Sequence, residues 1–323
     1  MKKLLIALAA GLAFTAAPVW AQKVLRLSHN AAPGNPKSEA SLKFAELVNQ
    51  KTQGRVKVEV GGSAQFGDDV ESLTNMRLGT LAFAAGSQGS TSGVVPQFAV
   101  IGLPFLFRDL PHAYKVVDGP FGKELGKLAD EKGLVLLALW DNGIRHTSNS
   151  KRPVTKPEDL AGIKLRTPPD PMTMDIFTAL GANPAPLAFS ELYIALQQGV
   201  MDGQENPLMN IWSSKLHEVQ KHIALTGHKY ETTPLLASKK VFNTLSADDR
   251  KAVFEAAAEA GKFNRQMSMS SEADLRKKME AAGVAFTTVD KAPFVARTKP
   301  VYDKWAKQYP ELVKLVVSEA AKP

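Results

Sequence analysis

Residues 24–60 read VLRLSHNAAPGNPKSEASLKFAELVNQKTQGRVKVEV and contain one strand–helix–strand unit. Residues 24–28 alternate apolar and polar side chains, which predicts a strand, and residues 37–51 carry apolar side chains at helical spacing. Gly54 follows as a helix stop, and residues 55–60 alternate again. Units of this kind recur along the chain. The sequence therefore predicts an α/β fold with mainly parallel sheets flanked by helices.

The chain of 323 residues is long enough for two lobes, because single hydrophobic cores stop growing near that size. A helical pattern runs almost unbroken from Ser246 to Ala282, and a helix of about 35 residues would extend about 50 Å, enough to cross both lobes. The alternative is two helices that break near Gly261. We define the predicted lobes by their residues: lobe I is 22–142 with 231–270, and lobe II is 143–230 with 271–323.

The amino-terminal residues have the pattern of a secretory signal peptide. Lys2 and Lys3 precede an apolar run over residues 4–17, and the sequence PVWA at 18–21 supplies small residues for cleavage after Ala21. The apolar run is too short to span a bilayer comfortably. We therefore expect residues 1–21 to be removed on export.

Cysteine is absent from the sequence, so neither a disulfide nor a lipid-accepting cysteine is available. An exported protein without a lipid anchor is retained where an outer membrane encloses it, which predicts a Gram-negative periplasm. The formal net charge is +8, of which the two lysines of the predicted signal peptide supply two. This mild basic excess would help attract anions, but no basic tract is interleaved with aromatic residues, so nucleic acid is not an expected partner.

Motifs for catalysis are missing from the sequence. It has no G-x-S-x-G elbow, phosphate loop or dinucleotide fingerprint, and His217 and His222 are spaced on different faces of a helix rather than as metal ligands. Asp68-Asp69 could form a general acid/base pair, but adjacent acidic residues at the start of a helix are typical of capping. We therefore predict a protein that is not an enzyme, with no cofactor and no metal.

Two arginines, Arg145 and Arg166, are candidates for binding an anion. Ile163 and Leu165 share one face of a predicted strand, so Arg166 projects from the other face near the carboxyl end. Strand ends line the crevice of α/β folds, and a guanidinium pairs with a carboxylate through two parallel hydrogen bonds. Considered alone, either arginine also fits a solvated surface position.

Five stretches resemble the DctP-like solute-binding proteins of TRAP (tripartite ATP-independent periplasmic) transporters. They are RHTSN at 145–149, GIKLR at 162–166, AFSELYIALQ at 188–197, VMDGQENP at 200–207 and LHEVQK at 216–221. The likeness runs from about Val24 to beyond Ala256, and DGQENP at 202–207 is specific. The resemblance implies a two-lobed periplasmic protein, expected to be monomeric, that closes on a small organic acid and docks on the membrane subunits of the transporter.

The resemblance also implies roles for individual residues. Arg166 would be the main clamp on the ligand carboxylate, Arg145 would support it, Asn206 would donate a hydrogen bond, and Phe189 would flank the ligand. Positions that would read the rest of the ligand from the first lobe are His29, Asn30, Asp69, Ser87 and Gln88.

Two departures from the family pattern limit what can be transferred. Ser87 stands where sialic-acid binders carry a glutamate, which argues against sialic acid. Asn35-Pro36 replaces a histidine–proline element, which leaves the role of that loop open.

The ligand itself is predicted from the polarity of the pocket. With His146, Asp170 and Asn210 added, the candidate residues are rich in donors and acceptors, and unpaired buried polar groups cost about 1–3 kcal/mol each. This favours a sugar acid such as D-glucuronate or D-galacturonate. A C4-dicarboxylate, a keto acid and a hydroxy acid remain alternatives. The same fold would also serve a periplasmic sensor or an ATP-driven uptake system.

Overall fold

The computed structural model describes residues 22–322, so the predicted signal peptide at 1–21 lies outside the described residues. The strands are β1 (Lys23–Ser28), β2 (Val56–Gly61), β3 (Phe83–Ala85), β4 (Leu134–Asn149), β5 (Lys164–Thr167), β6 (Asn183–Pro186), β7 (Gly203–Asn206), β8 (His222–Ser238) and β9 (Ala285–Thr287).

The α-helices are α1 (Pro36–Lys51), α2 (Asp69–Leu78), α3 (Gln88–Thr91), α4 (Leu110–Val117), α5 (Pro120–Glu131), α6 (Pro171–Ala179), α7 (Leu192–Gln197), α8 (Leu208–Ser213), α9 (Lys239–Phe242), α10 (Ala247–Ala281), α11 (Ala292–Gln308) and α12 (Pro310–Ala320). Short 3₁₀ helices occur at Pro96–Gly102, Pro157–Leu160, Phe189–Glu191 and Leu216–Glu218.

The strands form one mixed sheet in the order β2-β1-β3-β8-β4-β7-β5-β6, with β9 beside β8. Parallel pairing joins β1, β2 and β3 at one end and β5, β6 and β7 at the other. Between them, β4 and β8 pair antiparallel along nearly their whole length. The predicted α/β fold with flanking helices is therefore confirmed, and the two parallel groups are joined by a long antiparallel pair.

The apolar run at residues 134–140 predicts a strand that ends at Trp140, and the observed β4 is longer. It continues to Asn149 because the sequence around Gly143 is absorbed as irregularities in the pairing with β8 rather than as a turn. Gly143 has φ of +122°, a conformation that glycine adopts without strain. The continuation carries Arg145 and His146 from one end of the sheet toward the other.

Helix α10 is continuous from Ala247 to Ala281, so the alternative of a break near Gly261 is wrong. Gly261 lies against the buried indole of Trp140, where a Cβ would stand 2.8 Å from Cδ1. The indole Nε1–H donates to the Ala257 carbonyl oxygen at 2.9 Å. Glycine is therefore present for close packing and does not end the helix. The helix contacts α1 and β4 along one part of its length and α8 along another, which spans both predicted lobes.

The hydrophobic interior falls into separate clusters that match this arrangement. One cluster packs Phe44, Phe83 and Trp140 between α1, the β1–β3 end of the sheet and α10. Another packs Leu192, Ile211 and Met279 under α7, α8 and the far end of α10. Of the residues that the structure describes, no helix is long and apolar enough to cross a bilayer.

Candidate functional site

A cleft of about 200 Å³ lies between the two ends of the sheet and is lined from both sides. Eight of the predicted ligand residues line it: Asn30, Asp69, Ser87, Arg145, Arg166, Phe189, Asn206 and Asn210. Three of these residues, Arg145, Arg166 and Asn206, lie in strands, and the others lie in helices or in the segments that precede them. The polypeptide therefore brings together residues that lie up to 180 positions apart in the sequence.

Arg166, on β5, is almost fully buried in the wall of the cleft. Its Nε–H donates to the Leu187 carbonyl oxygen at 2.9 Å, and its guanidinium carbon lies 5.7 Å from the centre of the Phe189 ring. No carboxylate of the described residues forms an ion pair with it. Burial lowers the pKa of Arg166 to about 10, and the more distant charges of Glu205 and Asp68 offset this only in part.

Arg145, on β4, also lines the cleft, but carboxylates surround its guanidinium. Its Nε–H donates to Glu205 Oε2 at 2.5 Å, and its Nη2 donates to Glu205 Oε1 at 2.6 Å. Its Nη1 lies 2.5 Å from Glu231 Oε2. Burial alone would lower the pKa of Arg145, but the charges of Glu205 and Glu231 raise it above its ordinary value. The two arginines therefore differ in kind, because Arg145 is neutralised within the protein and Arg166 is not.

The motif at 202–207 is mostly structural. Asp202 accepts the Lys164 N–H at 3.0 Å and so ties β7 to β5, and a Cβ on Gly203 would clash with the Ser148 carbonyl oxygen. Glu205 holds Arg145, and Pro207 packs on Gly143. In this motif only Asn206 lines the cleft.

The amide of Asn206 is held by its neighbours on the lobe II side. Its Nδ2–H donates to Gln204 Oε1 at 2.5 Å, and its Oδ1 accepts from Asn210 Nδ2 at 3.1 Å. Asn210 Nδ2 also donates to Asn142 Oδ1 at 3.1 Å. This network fixes the orientation of Asn206 and leaves its second Nδ2–H for a ligand in the cleft.

Two pairs of side chains cross the mouth of the cleft. Asp68 Oδ2 accepts the Ser190 N–H at 3.0 Å and the Ser190 hydroxyl at 2.7 Å. Asn35, which caps α1, donates through Nδ2 to Asn210 Oδ1 at 2.8 Å. Although burial by itself would raise the pKa of Asp68, the hydrogen bonds from Ser190 and its other neighbours lower it. The structure therefore has the two sides of the cleft in contact.

The opposite wall of the cleft carries Asp69 and Ser87. Asp69 begins α2 and accepts the Ser87 N–H at Oδ2, 2.9 Å away. The Ser87 hydroxyl caps α3 by accepting the Ser90 N–H at 3.1 Å. Ser87 is thus fixed by capping α3, and its backbone N–H in turn fixes the carboxylate of Asp69 at the edge of the cleft.

Four predicted ligand residues do not line the cleft. His29 accepts the Ala31 N–H at Nδ1, its ring lies against Gly62, and burial lowers its pKa to about 4. Gln88 points away from the cleft toward β8, where Oε1 accepts the Thr232 N–H at 3.4 Å. In both cases the neighbouring residue, Asn30 or Ser87, reaches the cleft instead.

His146 and Asp170 are engaged elsewhere for similar reasons. His146 follows Arg145 on β4 and faces the other side of the sheet, where Nδ1 accepts the Gly227 N–H at 3.1 Å. Asp170 caps α6 and forms a buried ion pair with Lys229, at 2.6 Å. Alternation along the strand places His146 behind the wall, and the fully used carboxylate of Asp170 serves the fold.

Several cleft residues were not predicted from the sequence. The charged ones are Lys37, Asp68 and Glu231, and Asn142 adds an amide. Asp68 was weighed as part of an acid/base pair and interpreted as a helix cap, not as a ligand residue. Lys37 stands in a helical pattern where a lysine is usually solvated. Glu231 lies inside a strand far from every motif. Within residues 22–322, no group of three or more histidine, aspartate or glutamate side chains is arranged to hold a metal ion.

Comparison with known sequences gives a consistent family. The profile of bacterial extracellular solute-binding protein, family 7, matches residues 27–308. An uncharacterised protein of Sinorhizobium fredii is 50% identical over 287 residues, which is 88% of this chain and 53% of that protein, so the chain spans about half the length of this relative. The 2,3-diketo-L-gulonate-binding periplasmic protein of Escherichia coli is 34% identical over 304 residues, covering 94% of this chain and 93% of that protein.

Solved structures agree with this result. A TRAP periplasmic solute-binding protein of Polaromonas sp. bound to D-erythronate has a TM-score of 0.90 and 36% identity, covering 93% of this chain and 99% of that chain. One from Roseobacter denitrificans with bound β-D-glucuronate has a TM-score of 0.89 and 34% identity, covering 93% and 100%. One from Sulfurospirillum deleyianum with bound succinate has a TM-score of 0.87 and 33% identity, covering 92% and 98%.

The profile match covers most of the chain, and the two-sided cleft with its buried arginines lies in a fold shared with these structures. This chain therefore belongs to bacterial extracellular solute-binding protein family 7 and is a solute-binding protein of the TRAP transporter type, a family of substrate-binding transporter components.

Proposed function

We propose that this protein captures a sugar acid in the periplasm and delivers it to the membrane subunits of a TRAP transporter. Residues 1–21 would direct export and be removed. The mature protein would act as a monomer that closes lobe I on lobe II around the ligand, without chemical turnover.

The observation that carries this proposal is the buried guanidinium of Arg166, which lacks a carboxylate partner among the described residues. A buried charge is costly unless it is paired, so the cleft favours a ligand that brings a carboxylate. Asn206 has one N–H free to support the same carboxylate, and Phe189 would cover it. Arg145, already neutralised by Glu205 and Glu231, would act mainly by fixing the position of these carboxylates and of β7.

A sugar acid is favoured over other acids by the rest of the lining. Asn30, Asp69 and Ser87 place amide, carboxylate and hydroxyl groups opposite the arginine. Hydroxyl groups can satisfy such a surface, whereas an aromatic or aliphatic ligand would leave these groups unpaired. Relatives whose ligands are D-erythronate, β-D-glucuronate and 2,3-diketo-L-gulonate support this class.

A C4-dicarboxylate is the second candidate, because a lysine also lines the cleft on the side opposite Arg166. In this alternative, Lys37 would bind the second carboxylate. The succinate-bound relative belongs to the same fold and has similar identity to this chain. A dicarboxylate would place a second carboxylate near Lys37 and its neighbours, whereas a sugar acid would place hydroxyl groups there.

The proposal is tested by ligand screening of mature protein that has been unfolded and refolded to remove any bound solute. Thermal unfolding would be followed with hexuronates, aldonates, C4-dicarboxylates and keto acids, and binders would then be titrated by calorimetry. A ligand at about 100 times its dissociation constant adds about 2.7 kcal/mol of stability. Stabilisation by hexuronates or aldonates supports the proposal, and stabilisation by dicarboxylates alone contradicts it.

A further inference from the structure

Lys37 is a buried lysine in the wall of the cleft that neither helix capping nor an ion pair explains. It is the second residue of α1, where Asn35 accepts its backbone N–H at 3.0 Å, and its side chain is only about 5% exposed. Its Nζ makes one long hydrogen bond, 3.4 Å to Asn30 Oδ1. No carboxylate within residues 22–322 forms an ion pair with it. A lysine has three donors, so its capacity is largely unused.

Asp69 lies in the same wall and supplies an acceptor. Its Oδ2 accepts the Ser87 N–H, and no donor of the described residues reaches Oδ1. The side chain is buried yet lines the cleft. Burial raises the pKa of Asp69, and the positive charge of Lys37 opposes this effect. The positive charge of Lys37 also contributes to the lowered pKa of His29, the residue that precedes Asn30 in the chain.

Donor and acceptor thus stand together on the side of the cleft opposite Arg166. A hydroxyl group both donates and accepts, so it can receive a hydrogen bond from Lys37 and give one to Asp69. A carboxylate only accepts. Beside Asp69, with Asp68 adjacent, a second ligand carboxylate would have to share a site with like charges, and one of the groups would have to take up a proton.

From this arrangement we propose that Lys37 and Asp69 form a hydroxyl-reading pair that selects polyhydroxylated monocarboxylates and rejects dicarboxylates. The inference rests on the proposed function, because it assumes that Arg166 binds the ligand carboxylate and so directs the hydroxyl groups toward α1 and α2. It assigns Lys37 as a specificity-determining residue that the sequence did not identify.

The test is a matrix of variants and ligands measured by calorimetry. The variants are Lys37→Met, which keeps the length of the side chain and removes its donors, and Asp69→Asn. Lys43→Met, on the solvent side of the same helix, is the matched control. The ligands are D-glucuronate, succinate and glycolate, an acid too short to reach from Arg166 to the opposite wall.

We expect Lys37→Met to weaken D-glucuronate about 10- to 100-fold, the equivalent of one charge-assisted hydrogen bond, and to leave glycolate unchanged. Asp69→Asn should weaken D-glucuronate and strengthen succinate, while Lys43→Met should match the wild type. Thermal unfolding of each unliganded variant checks folding, and Lys37→Gln, which keeps a polar head, replaces Lys37→Met if that variant is unstable.

Other outcomes separate this inference from the proposed function. If Lys37→Met binds D-glucuronate as the wild type does, the hydroxyl-reading pair is refuted and the sugar-acid proposal stands. If the wild type prefers succinate and Lys37→Met loses it, Lys37 is a second carboxylate clamp and both ideas are overturned. Equal weakening of glycolate and D-glucuronate would mean that Lys37 acts through overall charge, which also refutes selective reading.

Discussion

Replacing Arg166 with alanine should abolish most ligand binding and yet leave the unliganded protein as stable as before. Burial lowers the pKa of Arg166 from 12.5 to about 10, which corresponds to about 3 kcal/mol of unfavourable free energy for holding the charge in the folded state. Truncation removes this cost. It also removes the hydrogen bond to Leu187 and the contact with Phe189, together worth about 2 kcal/mol. The two effects nearly cancel, so we expect the melting temperature to stay the same or rise slightly.

The effect on the ligand should be much larger. Losing a two-pronged charge-assisted contact costs about 3–5 kcal/mol, so the dissociation constant should rise roughly 10²- to 5 × 10³-fold. At a ligand concentration that stabilises the wild type by about 2.7 kcal/mol, a 100-fold weaker variant gains only about 0.4 kcal/mol. Arg166→Lys should also bind poorly, because an ammonium cannot make both parallel contacts.

Differential scanning fluorimetry with and without ligand, followed by calorimetric titration, measures both quantities. Arg276→Ala is the control, since Arg276 forms an exposed ion pair with Glu280 away from the cleft. Normal ligand affinity in Arg166→Ala would refute the assignment of the ligand carboxylate to Arg166. A large fall in the melting temperature of the unliganded variant would refute the reasoning that this charge is uncompensated.

Three further predictions concern closure, acid stability and packing. Ser190→Ala removes a hydroxyl that contacts Asp68 across the cleft, so it should weaken ligand binding about 5-fold, mainly through faster dissociation in stopped-flow experiments, whereas Ser318→Ala should have no effect. Burial lowers the pKa of His29 to about 4, so the unfolded chain binds the proton first and the free energy of unfolding should fall between pH 6.5 and 4, by up to about 3 kcal/mol; His29→Gln should reduce this loss in urea titrations. Asp141, whose pKa burial raises to about 6, acts with the opposite sign, so Asp141→Asn should make the acid loss steeper. Gly261→Ala should destabilise the protein by about 1–3 kcal/mol in the same titrations because its Cβ meets Trp140, whereas Gly126→Ala, whose nearest contact would be at 3.9 Å, should be neutral or stabilising.

Local patterns in the sequence were sufficient for most of the fold. The helical pattern from Ser246 to Ala282 predicted α10 almost to the residue, because its cap and its apolar spacing are local properties. The extension of β4 beyond Trp140 was missed, because its irregular pairing depends on β8, which lies some 90 residues later. Periodicity indicates what a segment can form, but it does not indicate which distant strand will accept an irregular partner.

For the site, the sequence predicted the segments that form the cleft wall, but it did not indicate which residue of each segment lines the cleft. His29 and Gln88 were one residue away from the cleft-lining Asn30 and Ser87, an error that reverses which side of the backbone a side chain occupies. Lys37 was missed because a lysine near the start of a helix is usually solvated, and its burial comes from tertiary packing that no local pattern indicates.

Arg145 and Arg166 differ in their ion pairs. Because distant strands supply these pairs, no local sequence pattern separates the two arginines. Both are buried arginines on strands, and each alone would suit a carboxylate ligand. Glu205 on β7 and Glu231 on β8 reach Arg145 because the β4–β7 and β4–β8 pairs bring them to it. Although β5 also pairs with β7, Glu205 forms its ion pair with Arg145, and no carboxylate of residues 22–322 forms an ion pair with Arg166. The sheet topology therefore decides which guanidinium is left without a counter-ion, and that guanidinium is where the ligand carboxylate has most to contribute. A variant that gave Arg166 an internal carboxylate, such as Leu187→Glu in the cleft wall, should lose affinity for the ligand by competition while gaining stability without it.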